Sequence, residues 1–272
     1  MRVIEVKVSK ALSKSGLPDL DYALNPYIGC YHACTYCYAR LYTRMREVAE
    51  KWGDVVAVKV NLIDVLRKEA VATSKGVVGV GTITDPYQPV EATYKLTRKS
   101  LEILLQYGFK VSVQTKSPLV TRDLDLLSRY RGRVDVGFTI TTLKKEVASQ
   151  IEPRAPPPKE RARALRVLSD SGIKTWVFYG PIIPGLNDDD VTIDDLLQLA
   201  RSTNSELYYD SLHVKPFMLG DHPLTRYAKL AEAYSWDELF KRIEGRCREY
   251  SVECKPGLTR NKPLISIKSF FK

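Results

Sequence analysis

Three of the chain's five cysteines, Cys30, Cys34 and Cys37, fall within eight residues of the stretch NPYIGCYHACTYCYARLY (25–42). In a reducing compartment thiols this close bind metal or do redox work, and a structural disulfide among them is not expected. Two metal readings compete. Zinc could take Cys30, Cys34 and Cys37, with His32, Cys247 or Cys254 completing a tetrahedron. Structural zinc sites, however, commonly use two separated ligand pairs, whereas here three ligands crowd one loop. A four-iron cluster fits the crowding better: three cysteines leave one iron open to a non-protein ligand, and an open iron is reactive. Cys247 and Cys254 then read as core or helix-packing residues.

Other loops carry polar or apolar groups where a strand pattern ends. In TDPYQPVE (84–91), two prolines fix the backbone, and Thr84, Asp85 and Gln88 could accept from an ammonium; a stiffened turn capped by Asp85 is the simpler alternative. Lys116, in QTKS (114–117), could meet a carboxylate or lie in water at a rim. Thr139 and Thr141 share one side of GFTITT (137–142) by the period of two, although threonine is also an ordinary strand former. In IEPRAPPP (151–158), Arg154 offers a planar fork to a carboxylate, or a surface ion pair to Glu152. The apolar turn of YGPIIPGLND (179–188) suits a flat ring such as adenine, or simple packing over a barrel mouth.

The elements that must position these loops alternate β-rich runs with amphipathic stretches, the mark of a parallel sheet. Strand patterns cover 22–25, 55–61, 77–83, 109–115, 133–141, 174–183 and 207–216. Helical patterns cover 40–51, 61–75, 96–108, 121–130, 158–172 and 191–203. About six strand–loop–helix units favour a partial (β/α) barrel over an open doubly wound sheet, and in either fold ligands gather beyond the carboxyl ends of the strands. The expected division is a barrel core with its N-terminal segment over 1–216 and a helical extension over 217–272 that closes the barrel flank. That extension holds SWDELFKRIEGRCREY (235–250), with Ser235 as candidate N-cap, and a short end strand near 264–267.

The 272 residues are 44% hydrophobic and 27% charged, ordinary for a soluble protein, with no apolar run long enough to span a bilayer. The N-terminus alternates Val and Ile with charged residues and lacks a secretory h-region, which points to the cytoplasm. A net charge of +10 and a pI near 9.3 suit a nucleic-acid partner, although many of these charges will simply solvate helices.

In order along the chain, NPYxGCxHxCxYCYAR, GTITDPYQPVE, QTKSPLVTRDLDLL, TITT, EPRAPPPKER and PIIPGLND resemble one family. It is the radical S-adenosylmethionine (SAM) proteins related to spore photoproduct lyase, often labelled DNA repair photolyase-like. The resemblance spans roughly 25–188. It implies a partial (β/α)6 TIM-like barrel carrying a [4Fe-4S] cluster on Cys30, Cys34 and Cys37, with SAM chelated to the open iron. Electron transfer from a donor such as ferredoxin or flavodoxin would then release a 5′-deoxyadenosyl radical. The resemblance further implies that Tyr36 sits beside the cofactor, that Thr84, Asp85, Lys116, Thr139 and Arg154 hold its methionyl and ribose portions, and that Ile182 and Ile183 line the adenine. The family's lyase returns a hydrogen atom from a cysteine just after the second barrel strand. This chain has Gly81-Thr82-Ile83 there, which leaves Tyr38, Tyr87 and Tyr179 as candidate donors and the lyase reaction itself in question.

Overall fold

Short runs of valine and isoleucine bounded by glycine, proline and polar turns form the strands of this chain. The computed structural model describes residues 1–17 and 19–257. The described strands are β1 (Arg2–Val6), β2 (Leu12–Lys14), β3 (Tyr22–Leu24), β4 (Tyr27–Ile28), β5 (Val55–Lys59) and β6 (Val77–Val80). They continue with β7 (Lys110–Thr115), β8 (Val134–Thr139), β9 (Lys174–Ile182), β10 (Glu206–Ser211) and β11 (Cys254–Pro256).

Six of these, β3 and β6 to β10, lie side by side in parallel and in chain order, as a partial (β/α)6 barrel requires. β2 extends the sheet antiparallel to β3, and β11 extends it parallel to β10 at the other end. Helices bury apolar stripes against the sheet at helical spacing: Leu101, Leu104 and Leu105 in Leu96–Gln106, and Ile193, Leu196, Leu197 and Ala200 in Asp190–Ser202. One continuous core joins these stripes to the buried valines of β6, β7 and β8.

Several sequence expectations change. The 55–61 run was expected in the barrel series, but β5 forms a separate three-stranded sheet, parallel to β1 and antiparallel to β4. Its four residues from Val55 to Val58 are all buried. A wholly apolar run looks the same whichever sheet covers it. The single helix expected over 40–51 is two short pieces, Ala39–Tyr42 and Arg46–Glu50. Ser235 stands at the N-cap of the helix Trp236–Tyr250 but makes no capping hydrogen bond with its side chain. Cys247, at the end of that helix, packs in the core as expected and is in addition disulfide-bonded to Cys254 in β11. The strand expected near 264–267 lies outside the described residues.

Candidate active site

The carboxyl ends of the six parallel strands surround one cavity. Its wall takes Cys30, Cys34, Cys37 and Tyr38 from the segment after β3, Gly81 to Asp85 after β6, and Gln114 to Lys116 from β7. Thr139 ends β8, Phe178, Gly180 and Pro181 come from β9, and Asp210 to His213 come from β10 and the residues after it. Parallel strands in chain order bring residues far apart in sequence onto one rim.

The cysteine loop is braced from two sides. From the β6 loop, Thr84 Oγ1 donates to the Gly29 carbonyl at 2.5 Å, and Gln88 Nε2 donates to the same carbonyl at 3.1 Å. Gln88 Oε1 accepts from the Tyr31 N–H at 2.9 Å. Asp85 is fully committed as well: it accepts from Tyr87 N–H, Thr115 Oγ1 and Lys116 N–H and faces His32 Nδ1 at 3.3 Å. Burial alone would raise its pKa, but His32 and these donors outweigh it and bring it down to about 2. From the other side, the Thr35 N–H donates to the Ile151 carbonyl at 2.8 Å, and Tyr36 donates its hydroxyl to Glu152.

Glu152 is the centre of a buried charge network. Its carboxylate pairs with Arg161, 1% exposed, and lies 3.8 Å from Lys116 Nζ, which sits over the Tyr36 ring at 5.6 Å. Burial would raise the Glu152 pKa, yet Arg161 and Lys116 hold it below the usual carboxylate value. Burial would lower that of Lys116, and Cys34 and Glu152 hold it up instead. Arg161 spends its other donors on the Pro156 and Thr139 carbonyls. The net positive charge left over is that of Lys116, at the cavity wall.

Among the described residues, Cys30, Cys34 and Cys37 are the free cysteines. Burial foremost pushes all three thiols up, Cys34 to about 12, so each would hold its proton until a metal displaced it. No three His, Cys, Asp or Glu side chains among the described residues converge as on a single metal ion. Two buried thiols, Cys30 and Cys34, and the half-buried thiol of Cys37 share one wall, with Asp85 and His32 engaged with each other beside them, and form the soft donor set of an iron–sulfur cluster. The residues present therefore fit that group.

The structure sorts the other sequence candidates. Tyr36 and Lys116 meet at Glu152, while Thr84, Asp85, Thr139 and Tyr38 line the cavity. Arg154 points away: its guanidinium takes the Gly53 carbonyl at 2.8 Å and Asp54 at 2.7 Å and lies over Tyr31. Ile182 and Ile183 are fully buried and belong to the core, with Gly180 and Pro181 on the wall in their place. Tyr87 gives its hydroxyl to Asp123, and Tyr179 to the Asn187 carbonyl, both off the cavity. Sequence reasoning treated Glu152 only as a partner for Arg154 and missed Arg161, Asp210 and His213. Arg161 had a signal, because it shares the buried stripe of its helix with Leu165 and Leu168.

The sequence profile of the radical SAM superfamily matches residues 24–197. An uncharacterized protein of Methanocaldococcus jannaschii is 33% identical over 243 residues, covering 89% of this chain and 90% of that one. A variant of spore photoproduct lyase superposes with a TM-score of 0.71 at 17% identity, covering 94% of this chain and 81% of that one. The same enzyme complexed with a dinucleoside spore photoproduct gives 0.66 at 18% identity, over 91% and 78%. A radical SAM methyltransferase from Sphaerobacter thermophilus gives 0.60 at 18% identity, over 92% and 69%. At these identities the structural likenesses show a shared fold. The chain belongs to the radical SAM superfamily, enzymes that use a [4Fe-4S] cluster and S-adenosylmethionine.

Proposed function

We propose that this enzyme holds its cluster on Cys30, Cys34 and Cys37 and acts as a hydrogen-abstracting catalyst on nucleic acid. The observation that carries the reading is the meeting of three free thiols and one surplus cation, Lys116, on a single cavity at the carboxyl ends of the barrel strands. When bound, the cluster and SAM supply the one-electron cleavage that generates a 5′-deoxyadenosyl radical. Lys116 receives the carboxylate of SAM. Tyr36, fixed by Glu152, walls the cofactor, and Thr139 offers its hydroxyl to the ribose portion. Thr84 and Asp85 work at one remove, by bracing the cysteine loop and the backbone at Lys116. Arg154, Ile182 and Ile183 support the walls from outside the cavity.

Nucleic acid is the favoured substrate because the chain carries ten net positive charges and shares its fold with an enzyme solved with a dinucleoside. Hydrogen return falls to Tyr38, the cavity-lining member of the three candidate tyrosines, whose hydroxyl donates to the Thr82 carbonyl at 2.8 Å. The low-potential electron comes from a ferredoxin- or flavodoxin-like donor, and an oxygen-sensitive cluster with three free thiols suits the cytoplasm. Among the described residues no helix is long and apolar enough to cross a membrane.

Anaerobic reconstitution tests the reading. The wild-type protein should bind about four irons and release 5′-deoxyadenosine when reduced with SAM, and Cys37→Ala should do neither. A colourless protein with about one zinc, or no nucleoside released, defeats it.

A further inference from the structure

One polar pair in the cavity wall has no part in holding the cysteine loop. The wall contains two carboxylates among the described residues, Asp85 and Asp210. Asp85 is consumed by four neighbours. Asp210 is hydrogen-bonded within its own segment: it accepts from the Ser211 N–H at 2.9 Å and faces His213 Nε2 with both oxygens, at 3.1 and 3.2 Å. The register of β10 against β9 shifts between Tyr209 and Ser211, and from that irregularity onward the chain runs along the cavity. The Asp210 side chain is 15% exposed and that of His213 44%, so the imidazole is held on one side and open on the other.

The pairing orients the ring of His213. With Nε2–H given to the carboxylate, a neutral imidazole offers Nδ1 as a hydrogen-bond acceptor. A carboxylate at this point repels phosphate, so the strand's backbone must pass elsewhere. A suitable place lies just outside, where Arg40 stacks over Phe217 at 4.8 Å and links the helix Ala39–Tyr42 to the segment after His213. Tyr42, 48% exposed at the end of that helix, lies edge-to-face against the cavity-lining Tyr38, and an exposed ring of this kind stacks on bases of any sequence. Cation and aromatic groups thus line the outside, while an acceptor waits inside.

We infer that Asp210 and His213 form a base-recognition subsite, in which His213 Nδ1 accepts a hydrogen bond from an N–H donor on the edge of a nucleobase turned into the cavity. The inference rests on the nucleic-acid reading above and adds to it the residues that would read the base. Asp210 acts through the imidazole and is a positioning residue.

The test uses the reconstituted holoenzyme with SAM and three fluorescein-labelled single strands of equal length: oligothymidylate, its N3-methylated form, which lacks the ring N–H, and an abasic strand. Fluorescence anisotropy should show oligothymidylate bound about tenfold more tightly than either of the others. His213→Ala and Asp210→Asn should erase that preference, and His213→Gln, which keeps an acceptor, should restore part of it. The salt dependence of binding, set by phosphate contacts, should stay the same in all variants. An undiminished preference in His213→Ala overturns the inference, as does equal binding of the methylated and unmethylated strands to wild-type protein. That second comparison decides the matter even where a variant fails to fold. Both results leave the nucleic-acid reading standing, whereas absence of binding by all three strands removes that reading and the inference together.

Discussion

The phenolic hydroxyl of Tyr36 is hydrogen-bonded to the carboxylate of Glu152, 116 residues further along the chain. Since Glu152 also faces Arg161 and Lys116, one anion joins the cysteine loop, the residue after β7 and the helix that follows β8. The cysteine loop is therefore tied to the barrel by protein groups alone.

Breaking that junction should be costly. Glu152→Gln leaves Arg161 as a buried cation without its partner, a loss of about 3–5 kcal/mol. Tyr36→Phe removes one hydrogen bond to a carboxylate and should cost about 1.5–3 kcal/mol. Chemical denaturation of the two apoproteins checks both, and equal stability of Glu152→Gln and wild type would show that the carboxylate is not the junction.

Asp85 makes a pH prediction of definite sign. Its folded pKa of about 2 lies below the ordinary 3.8, so its contribution is fully present above that value and fades as pH falls toward 2. Asp85→Asn should therefore be less stable than wild type at neutral pH, by about 2 kcal/mol. The gap should close in acid. A gap that is constant from pH 7 down to the acid transition would contradict the assignment.

Gly81 is required by its surroundings. Its φ is +94°, and a Cβ there would stand 2.5 Å from Pro86 Cδ and 2.7 Å from the Gln114 carbonyl oxygen. Gly81→Ala should lose about 1–3 kcal/mol and loosen the β6 loop that braces the cysteines. Gly81→Cys should be no better tolerated, so a thiol of the lyase type is not restored by this replacement. Thermal melts and iron content of both variants provide the check.

The Cys247–Cys254 disulfide closes a short loop that fastens β11 to the end of the helix Trp236–Tyr250. Its reduction should lower stability by about 2–3 kcal/mol, and Cys247→Ser should reproduce the loss. A melting curve unchanged by a mild reductant would show that β11 is held by its pairing with β10 alone.

The grouping of three free thiols and most barrel strands were legible because they depend on local signals: tight cysteine spacing, a short apolar run, a stripe at helical period. What stayed hidden depends on partners distant in sequence. Nothing within 55–61 says that Val55–Lys59 pairs with β1 and not with the barrel. The order E-P-R favoured Arg154 as the functional group because arginine is long and forked, yet the chain turns Glu152 inward and Arg154 out. Tyr87 and Tyr179 look like Tyr38 in the sequence, and only the positions of Asp123 and the Asn187 carbonyl reveal that their hydroxyls are engaged elsewhere. Asp210 and His213 belong to no motif, and their pairing is a local contact three residues apart at the end of β10.

Among the described residues, the eight-stranded sheet ends at β2 on one side and at β11 on the other, and these two strands do not pair. A crescent of this kind can admit a polymer sideways. On the nucleic-acid reading proposed above, an enzyme so built needs no free terminus to thread and can take up an interior position of a long strand and let go of it without travelling to either end.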